Sequence, residues 1–179
     1  MRSKKLPSQR GSSIIELMIG MTVLAVGVLG SAGLMGVAIG ANGRNRLQTN
    51  STAMAQMVAE KIGSVPVINN NNLNITDCNN VNNTVAVVGS PAGTGAALLA
   101  SGDVDFSQVL GGAGAPVNYY MLYTSCGINA PPVIYDVRWR IFTPSANVKL
   151  ITVSAKSRGL NNDPKYVSQP VTIRFMSGR

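Results

Sequence analysis

The sequence predicts an α+β fold in which one long N-terminal helix packs on an antiparallel β-sheet, and three observations lead to it. Residues 17–43 form an uncharged, mostly apolar run of 27 residues. An amphipathic pattern continues to residue 62, where Leu47, Met54, Val58 and Ile62 recur at helical spacing before Gly63 and Pro66 stop the helix. The last third of the chain alternates apolar and polar residues, as half-buried strands do.

The apolar run is long enough to cross a membrane. A membrane span needs about 20 residues at ~1.5 Å each, whereas the apolar core of a secretory signal has roughly 7–15 residues. Four basic residues precede the run and hold that end on the cytoplasmic side during insertion: Arg2, Lys4, Lys5 and Arg10. We therefore predict a single membrane pass with the rest of the chain on the opposite side.

Glu16 is a charged residue at the N-terminal end of this apolar run, where we expect it to have either a charged partner or a function. A carboxylate at the centre of a membrane helix costs roughly 2.5–3.5 kcal/mol. Glu16 lies five residues after Gly11, which closes the basic leader, and Ser12 follows that glycine directly. The alternative is a simple membrane anchor in which Glu16 is incidental.

The basic leader, Gly11 and Glu16 together resemble the class III signal of type IV pilins and type II secretion pseudopilins. The resemblance implies cleavage after Gly11 by a prepilin peptidase and N-methylation of the new N-terminal Ser12. It also implies that Glu16 pairs with the terminal ammonium of a neighbouring subunit and so sets the register of a fibre. Family members mostly begin the mature chain with Phe, whereas this chain has Ser12.

The resemblance also implies an organisation and a set of partners. The fold would be a pilin-like roll, with a leader over residues 1–11, a transmembrane and assembly helix over 12–43, its amphipathic continuation over 44–65, and an antiparallel-sheet head over 66–179. The partners would be other pilin subunits through their N-terminal helices, the prepilin peptidase and the inner-membrane assembly machinery. The head would be periplasmic before assembly, and the subunit would lie in the cell-surface pilus afterwards.

Two shorter stretches are similar to PilV-type minor pilins: Gly27-Val28-Leu29-Gly30 in the span and Tyr135-Asp136-Val137-Arg138-Trp139-Arg140 in the head. They imply a minor type IV pilin that primes assembly or modulates adhesion, twitching motility or DNA uptake. One alternative is a minor pseudopilin of a type II secretion system, which shares the span and the assembly mechanism. Another is a membrane-anchored binding domain that never polymerises.

The strand pattern of the head is clearest over residues 133–142, where every second residue is apolar. This period of two predicts that Trp139 faces inward and that Arg138 and Arg140 face outward. Further strands are expected over residues 117–124, 148–155 and 167–176, with Pro170 indicating an edge strand or a bulge. The Asn-rich residues 69–83 predict an irregular loop.

Cys78 and Cys126 are the two cysteines of the chain. In an exported protein the expected state is one disulfide, which would stabilise the fold by roughly 3–4 kcal/mol in the chain-entropy model. Two free thiols are the alternative. The resemblance adds that major pilins usually carry a disulfide in the C-terminal region, whereas here no cysteine follows Cys126, which points to a minor subunit.

Composition limits the remaining chemistry. Without the leader, the side chains comprise eleven basic and seven acidic groups, a net charge of +4. Arg138, Arg140 and Lys149 are candidates for a basic patch that binds DNA or a surface ligand, although a solvated sheet face is the interpretation that the sequence favours. The chain contains no histidine, which excludes His-activated nucleophiles and His-ligated metals, and it has no phosphate-binding Gly-Lys-Ser/Thr loop. We therefore predict no catalytic residue, no metal site, no cofactor and no enzyme activity.

Overall fold

One helix and seven strands make up the part of the protein that the structure, a computed structural model, describes: residues 13–127, 130–158 and 169–178. Their order along the chain is α1 (Ile14–Gly63), β1 (Leu73–Thr76), β2 (Asn82–Val85), β3 (Thr94–Gly95), β4 (Tyr120–Gly127), β5 (Ala130–Ser145), β6 (Val148–Ser157) and β7 (Val171–Gly178). The chain divides into two compact units, with the boundary between Gly43 and Arg44.

In the first unit, α1 presents apolar side chains to its surroundings all along its length. Leu17, Leu24 and Leu34 are 57%, 69% and 74% exposed. The polar groups there are satisfied within the helix, since the Ser31 hydroxyl donates to the Gly27 carbonyl at 2.5 Å and the Thr22 hydroxyl to the Met18 carbonyl at 2.8 Å. By length and composition α1 is able to cross a membrane, and it is the one such helix among the described residues.

In the second unit, residues 44–63 of α1 bury one stripe against the head. The buried residues recur at three- and four-residue spacing, which is the period of one helix face: Ser51, Ala55, Val58, Ala59 and Ile62. The helix ends at Gly63, where a Cβ atom would come within 2.8 Å of the Phe175 ring. The Gly63 carbonyl accepts a hydrogen bond from the Ser177 hydroxyl at 2.9 Å, so the end of α1 is tied to β7.

The sheet is antiparallel, with the order β3-β5-β6-β7 and with β4 pairing to β5 as well. Trp139 on β5 stands opposite Val153 on β6, which in turn stands opposite Ile173 on β7. The fully buried residues of β5 and β6 on this face form the core with the helix stripe: Tyr135, Val137, Trp139, Ile141, Ile151, Val153 and Ala155. This packing confirms the predicted α+β class, a long N-terminal helix on an antiparallel sheet in a pilin-like arrangement, and it confirms that Trp139 faces inward.

The prediction of an irregular loop over residues 69–83 is wrong in part, because β1 and β2 form a two-stranded antiparallel sheet. Its inward residue Ile75 is 6% exposed and joins the core. Its outward residues are the polar ones, and Asn74 pairs with Thr84 in the register, as Thr76 does with Asn82. The frequent asparagines therefore belong to the solvent face of a hairpin as well as to its turn.

The later strands lie close to their predicted positions. Strand β7 is the edge of the path β3-β5-β6-β7, and Pro170 directly precedes it, so the predicted edge position is confirmed. Its predicted start at Val167 lies outside the described residues. Strand β4 begins three residues later than predicted, since residues 116–119 form a turn in which the Tyr119 N–H donates to the Pro116 carbonyl.

Replacing Ile62 by Ala should lower the free energy of unfolding by about 2–5 kcal/mol, because it removes a fully buried side chain and leaves a cavity between α1 and the sheet. Denaturant unfolding of the full chain in detergent, followed by the fluorescence of its one tryptophan, Trp139, measures this loss. Glu60→Ala, on the exposed side of the same turn, is the matched control and should change stability by less than about 0.5 kcal/mol. Equal losses in the two variants would contradict this packing.

Candidate functional site

Glu16 lies in the first turn of α1. The helix begins at Ile14, and the Leu17 N–H donates to the Ser13 carbonyl at 3.2 Å. A carboxylate in a first turn interacts favourably with the partial positive charge of the helix N-terminus. Gly11 and Ser12, the predicted cleavage and methylation positions, lie outside the described residues.

The predicted disulfide between Cys78 and Cys126 is confirmed, with 5.9 Å between the two Cα atoms. It joins the turn of the β1–β2 hairpin to the end of β4. The backbone reinforces this link, because the Cys78 N–H donates to the Thr124 carbonyl at 3.4 Å. The Asn-rich hairpin is therefore fixed against the main sheet.

Asp77, beside Cys78, holds the same junction through its side chain, a role that the sequence analysis missed. One carboxylate oxygen accepts the N–H groups of Asn79 and Val81, both at 2.9 Å, and the other accepts the N–H of Thr124 on β4 at 3.3 Å. Burial acts to raise the pKa of Asp77, but the N–H donors of Val81, Asn79 and Thr124 outweigh it and hold the pKa below the usual 3.8. The available signal is an Asp at the start of an Asn-rich turn, where Asp side chains accept nearby backbone N–H groups.

Arg138, a candidate for the basic patch, is only 2% exposed although it lies on the outer face of the sheet. Its guanidinium forms two hydrogen bonds with the buried carboxylate of Asp136, at 3.0 and 2.9 Å. It also donates to the backbone carbonyls of Asp105 and Gln108, at 3.1 and 2.9 Å, and stacks 4.9 Å from the centre of the Phe106 ring. The long connection between β3 and β4 therefore covers Arg138.

Arg140 and Arg174 hold other parts of the same outer-face connections. The Arg140 guanidinium donates to the carbonyls of Ala92 and Ala96, at 2.9 and 3.3 Å. The Arg174 guanidinium donates to the Ser101 carbonyl at 3.4 Å and pairs with the Asp103 carboxylate at 3.3 Å. Of the three residues whose carbonyls accept these bonds, Ala96 is buried, whereas Ala92 and Ser101 are exposed.

Lys149 is likewise absent from the surface, since it is 1% exposed on the helix side of β6. It stands opposite Ser177 in the register, and its Nζ has no hydrogen-bond partner among the described residues. Burial lowers the pKa of Lys149. Arg138, Arg140 and Lys149 consequently do not form the shared basic surface that was a candidate from the sequence. The favoured alternative, a solvated sheet face, does not hold for Arg138 and Lys149 either, because both are buried.

The comparisons with known proteins concern the N-terminal segment. Residues 6–32 match the family model described as the prokaryotic N-terminal methylation motif. No curated protein and no solved structure matches the chain at a significant level. The matched range contains Gly11, Ser12 and Glu16, so it supports the resemblance to type IV pilins and pseudopilins and implies processing by a prepilin peptidase. The apolar helix and this motif together indicate membrane anchoring.

Replacing Asp136 by Asn should lower the free energy of unfolding by about 3–5 kcal/mol, because the buried Arg138 guanidinium loses its counter-ion. The double variant Asp136→Leu/Arg138→Met removes both charges and should lose less than the single variant. Denaturant unfolding of the full chain in detergent provides the comparison. If the double variant is the less stable of the two, the cost of an unpaired buried charge does not explain this pair.

Asp77 should make the head less stable in acid. Because the pKa of Asp77 is lower in the folded chain than the usual 3.8, its contribution is fully present above that value and is lost as the pH falls through the folded value. Thermal unfolding of the wild type and of Asp77→Asn, from pH 6 down to pH 2, tests this contribution. The difference in melting temperature between the two should shrink below about pH 4, and a difference that stays constant over this range would rule it out.

Proposed function

We propose that this protein is a minor type IV pilin. A prepilin peptidase cuts it after Gly11, the new N-terminal Ser12 is methylated, and α1 carries the subunit into a pilus. There it primes assembly or modulates adhesion, twitching motility or DNA uptake. The observation that carries the proposal is the match of residues 6–32 to the N-terminal methylation motif, with Glu16 at its expected place in the first turn of α1.

The surface of α1 supports assembly through the helix. Its first thirty residues are exposed in the isolated chain, and they are mostly apolar. Such a surface is stable in lipid or against other apolar helices but not in water. A neighbouring subunit's terminal ammonium, packed beside α1, would place a cation next to the Glu16 carboxylate in a low-dielectric environment.

The head supports a minor rather than a major subunit. Its disulfide joins Cys78 to Cys126, and no cysteine follows Cys126, unlike the C-terminal disulfide that is usual in major pilins. The stretch that is similar to PilV-type minor pilins, residues 135–140, lies in β5 and alternates core side chains with Asp136 and the two arginines that hold the outer loops. We infer a structural, non-catalytic role for the head.

Mass spectrometry of the membrane-extracted protein tests the processing. We expect a chain that starts at N-methylated Ser12, and we expect Gly11→Val to keep its leader because a β-branched residue replaces the small one at the cleaved bond. Glu16→Ala should still be cut but should be missing from sheared fibres. Glu60→Ala is the control, since Glu60 is the other carboxylate of α1 and lies beyond the apolar run. A wild-type chain that keeps Met1 would exclude the pilin proposal.

Fibre isolation and secretion assays then separate the two assembly systems. Recovery of the protein in sheared pili, with normal protein secretion after deletion of its gene, supports the minor pilin. A block in secretion on deletion, with no protein in pili, supports the minor pseudopilin. A processed chain that is found in neither assembly would support an anchored binding domain instead.

A further inference from the structure

We propose that Arg44 and Arg46 bind the phosphate groups of anionic phospholipids on the outer surface of the membrane, and so hold this polar segment of α1 at the headgroups while the subunit awaits assembly. This inference rests on the membrane anchoring contained in the proposed function, but not on the identity of the fibre. The site is the short polar segment of α1 at residues 44–50, which follows the apolar run directly.

The length of the uncharged run places the two arginines at lipid headgroup depth. Glu16 and Arg44 are 28 residues apart along α1, which corresponds to about 42 Å at the rise of an α-helix. A bilayer measures about 40–45 Å when its headgroup regions are included. When Glu16 lies in one headgroup region, Arg44 and Arg46 therefore lie in the other.

The charges around this segment favour an anionic partner. Arg44 and Arg46 are both exposed, and they are the only charged residues between Glu16 and Glu60. Glu60 is 14 residues beyond Arg46, about 21 Å along the helix, and salt screens exposed charges over roughly 8–10 Å. A guanidinium group binds phosphate oxygens through two parallel hydrogen bonds, so lipid phosphates are suitable counter-ions for the two arginines.

The head carries a further exposed basic group at one end of the sheet. Tyr135 on β5 is fully buried, and this burial raises the pKa of Tyr135, while Asn50 and the positive charge of Arg46 act in the opposite direction. The Ile134 carbonyl, next to Tyr135 in the chain, accepts the Arg158 N–H at 2.8 Å. The Arg158 side chain is 43% exposed and lies 3.8 Å from the Asp136 carboxylate.

Among the residues that the structure describes, two acidic groups at this end of the head, Asp136 and Asp77, are already engaged. Asp136 is bound by Arg138, and Asp77 accepts three backbone N–H groups. Both residues are buried, at 3% and 6% exposure. In the described part of this end, the exposed charges are therefore the basic ones, which a surface of anionic lipid headgroups would attract.

Native mass spectrometry of the full chain in detergent, titrated with phosphatidylglycerol, measures this binding. We expect Arg44→Gln/Arg46→Gln to raise the dissociation constant for phosphatidylglycerol by about 10- to 30-fold. Lys61→Gln should change it less than twofold, because Lys61 is exposed on the same helix about 22 Å further on. Equal binding by the double variant and the wild type, or an equal loss in Lys61→Gln, would overturn the proposal.

Two competitors identify the source of the phosphate. Phosphatidylcholine should bind more weakly than phosphatidylglycerol, and millimolar inorganic phosphate should not displace the bound lipid. Displacement by inorganic phosphate at that concentration would indicate a free-anion site and would overturn the lipid assignment. An unchanged Trp139 emission spectrum in each variant shows that the head is still folded.

The same preparations separate this inference from the proposed function. Resistance to alkaline extraction from membranes tests the anchor, and N-methylation of Ser12 tests the prepilin processing. A chain that is anchored and binds phosphatidylglycerol through the two arginines, but is not processed, would refute the pilin and leave this inference standing. A processed chain whose lipid binding does not depend on Arg44 and Arg46 would do the reverse.

Discussion

The two parts of α1 need different surroundings, and the rest of the structure depends on this constraint. Residues 14–43 of α1 expose apolar side chains on every side, whereas residues 44–63 bury a narrow stripe of mostly small residues under the sheet. The first part has no core of its own and needs hydrocarbon or other helices around it. The second part completes the core of the head, so the stability of the head depends on the same element that anchors the chain.

Positive charge in the head is used mainly for internal structure. Arg138, Arg140 and Arg174 donate to carbonyls in the connections that cross the outer face of the sheet. These hydrogen bonds attach irregular backbone to the outer face of the sheet, and the guanidinium of Arg138 is itself buried beneath that backbone. The net charge of the sequence is therefore a poor guide to what the surface of the head can bind.

The sequence was sufficient to predict the helix, the inward and outward faces of the main strand and the disulfide. It was not sufficient to predict which segments of the chain cover each face of the sheet. The period of two over residues 133–142 predicted the inward side of Trp139, yet the burial of Arg138 depends on the path of a connection 30 residues away in sequence. Lys149 shares its face with Ile151 and Val153, so its burial was readable from parity and was missed because lysines are rarely buried. The β1–β2 hairpin was missed because asparagine composition obscured the alternation around Ile75.

Under the proposed function, the charged residues at the two ends of the apolar part of α1 favour different surroundings. The arginines are more stable in the membrane, and Glu16 is more stable in the fibre. In lipid, under the proposed anchoring, the arginines at residues 44 and 46 are satisfied by headgroups, while Glu16 interacts favourably with the helix N-terminus. In the proposed fibre a neighbouring subunit would bring a cation to Glu16, whereas the arginines would leave the lipid phosphates. The proposed removal of the leader would take four positive charges from the cytoplasmic end and leave those at the outer end in place. To leave the membrane, the subunit would then have to lose the contacts of its two arginines with lipid headgroups. The balance between this loss and the gain at Glu16 would decide whether the membrane or the fibre is favoured.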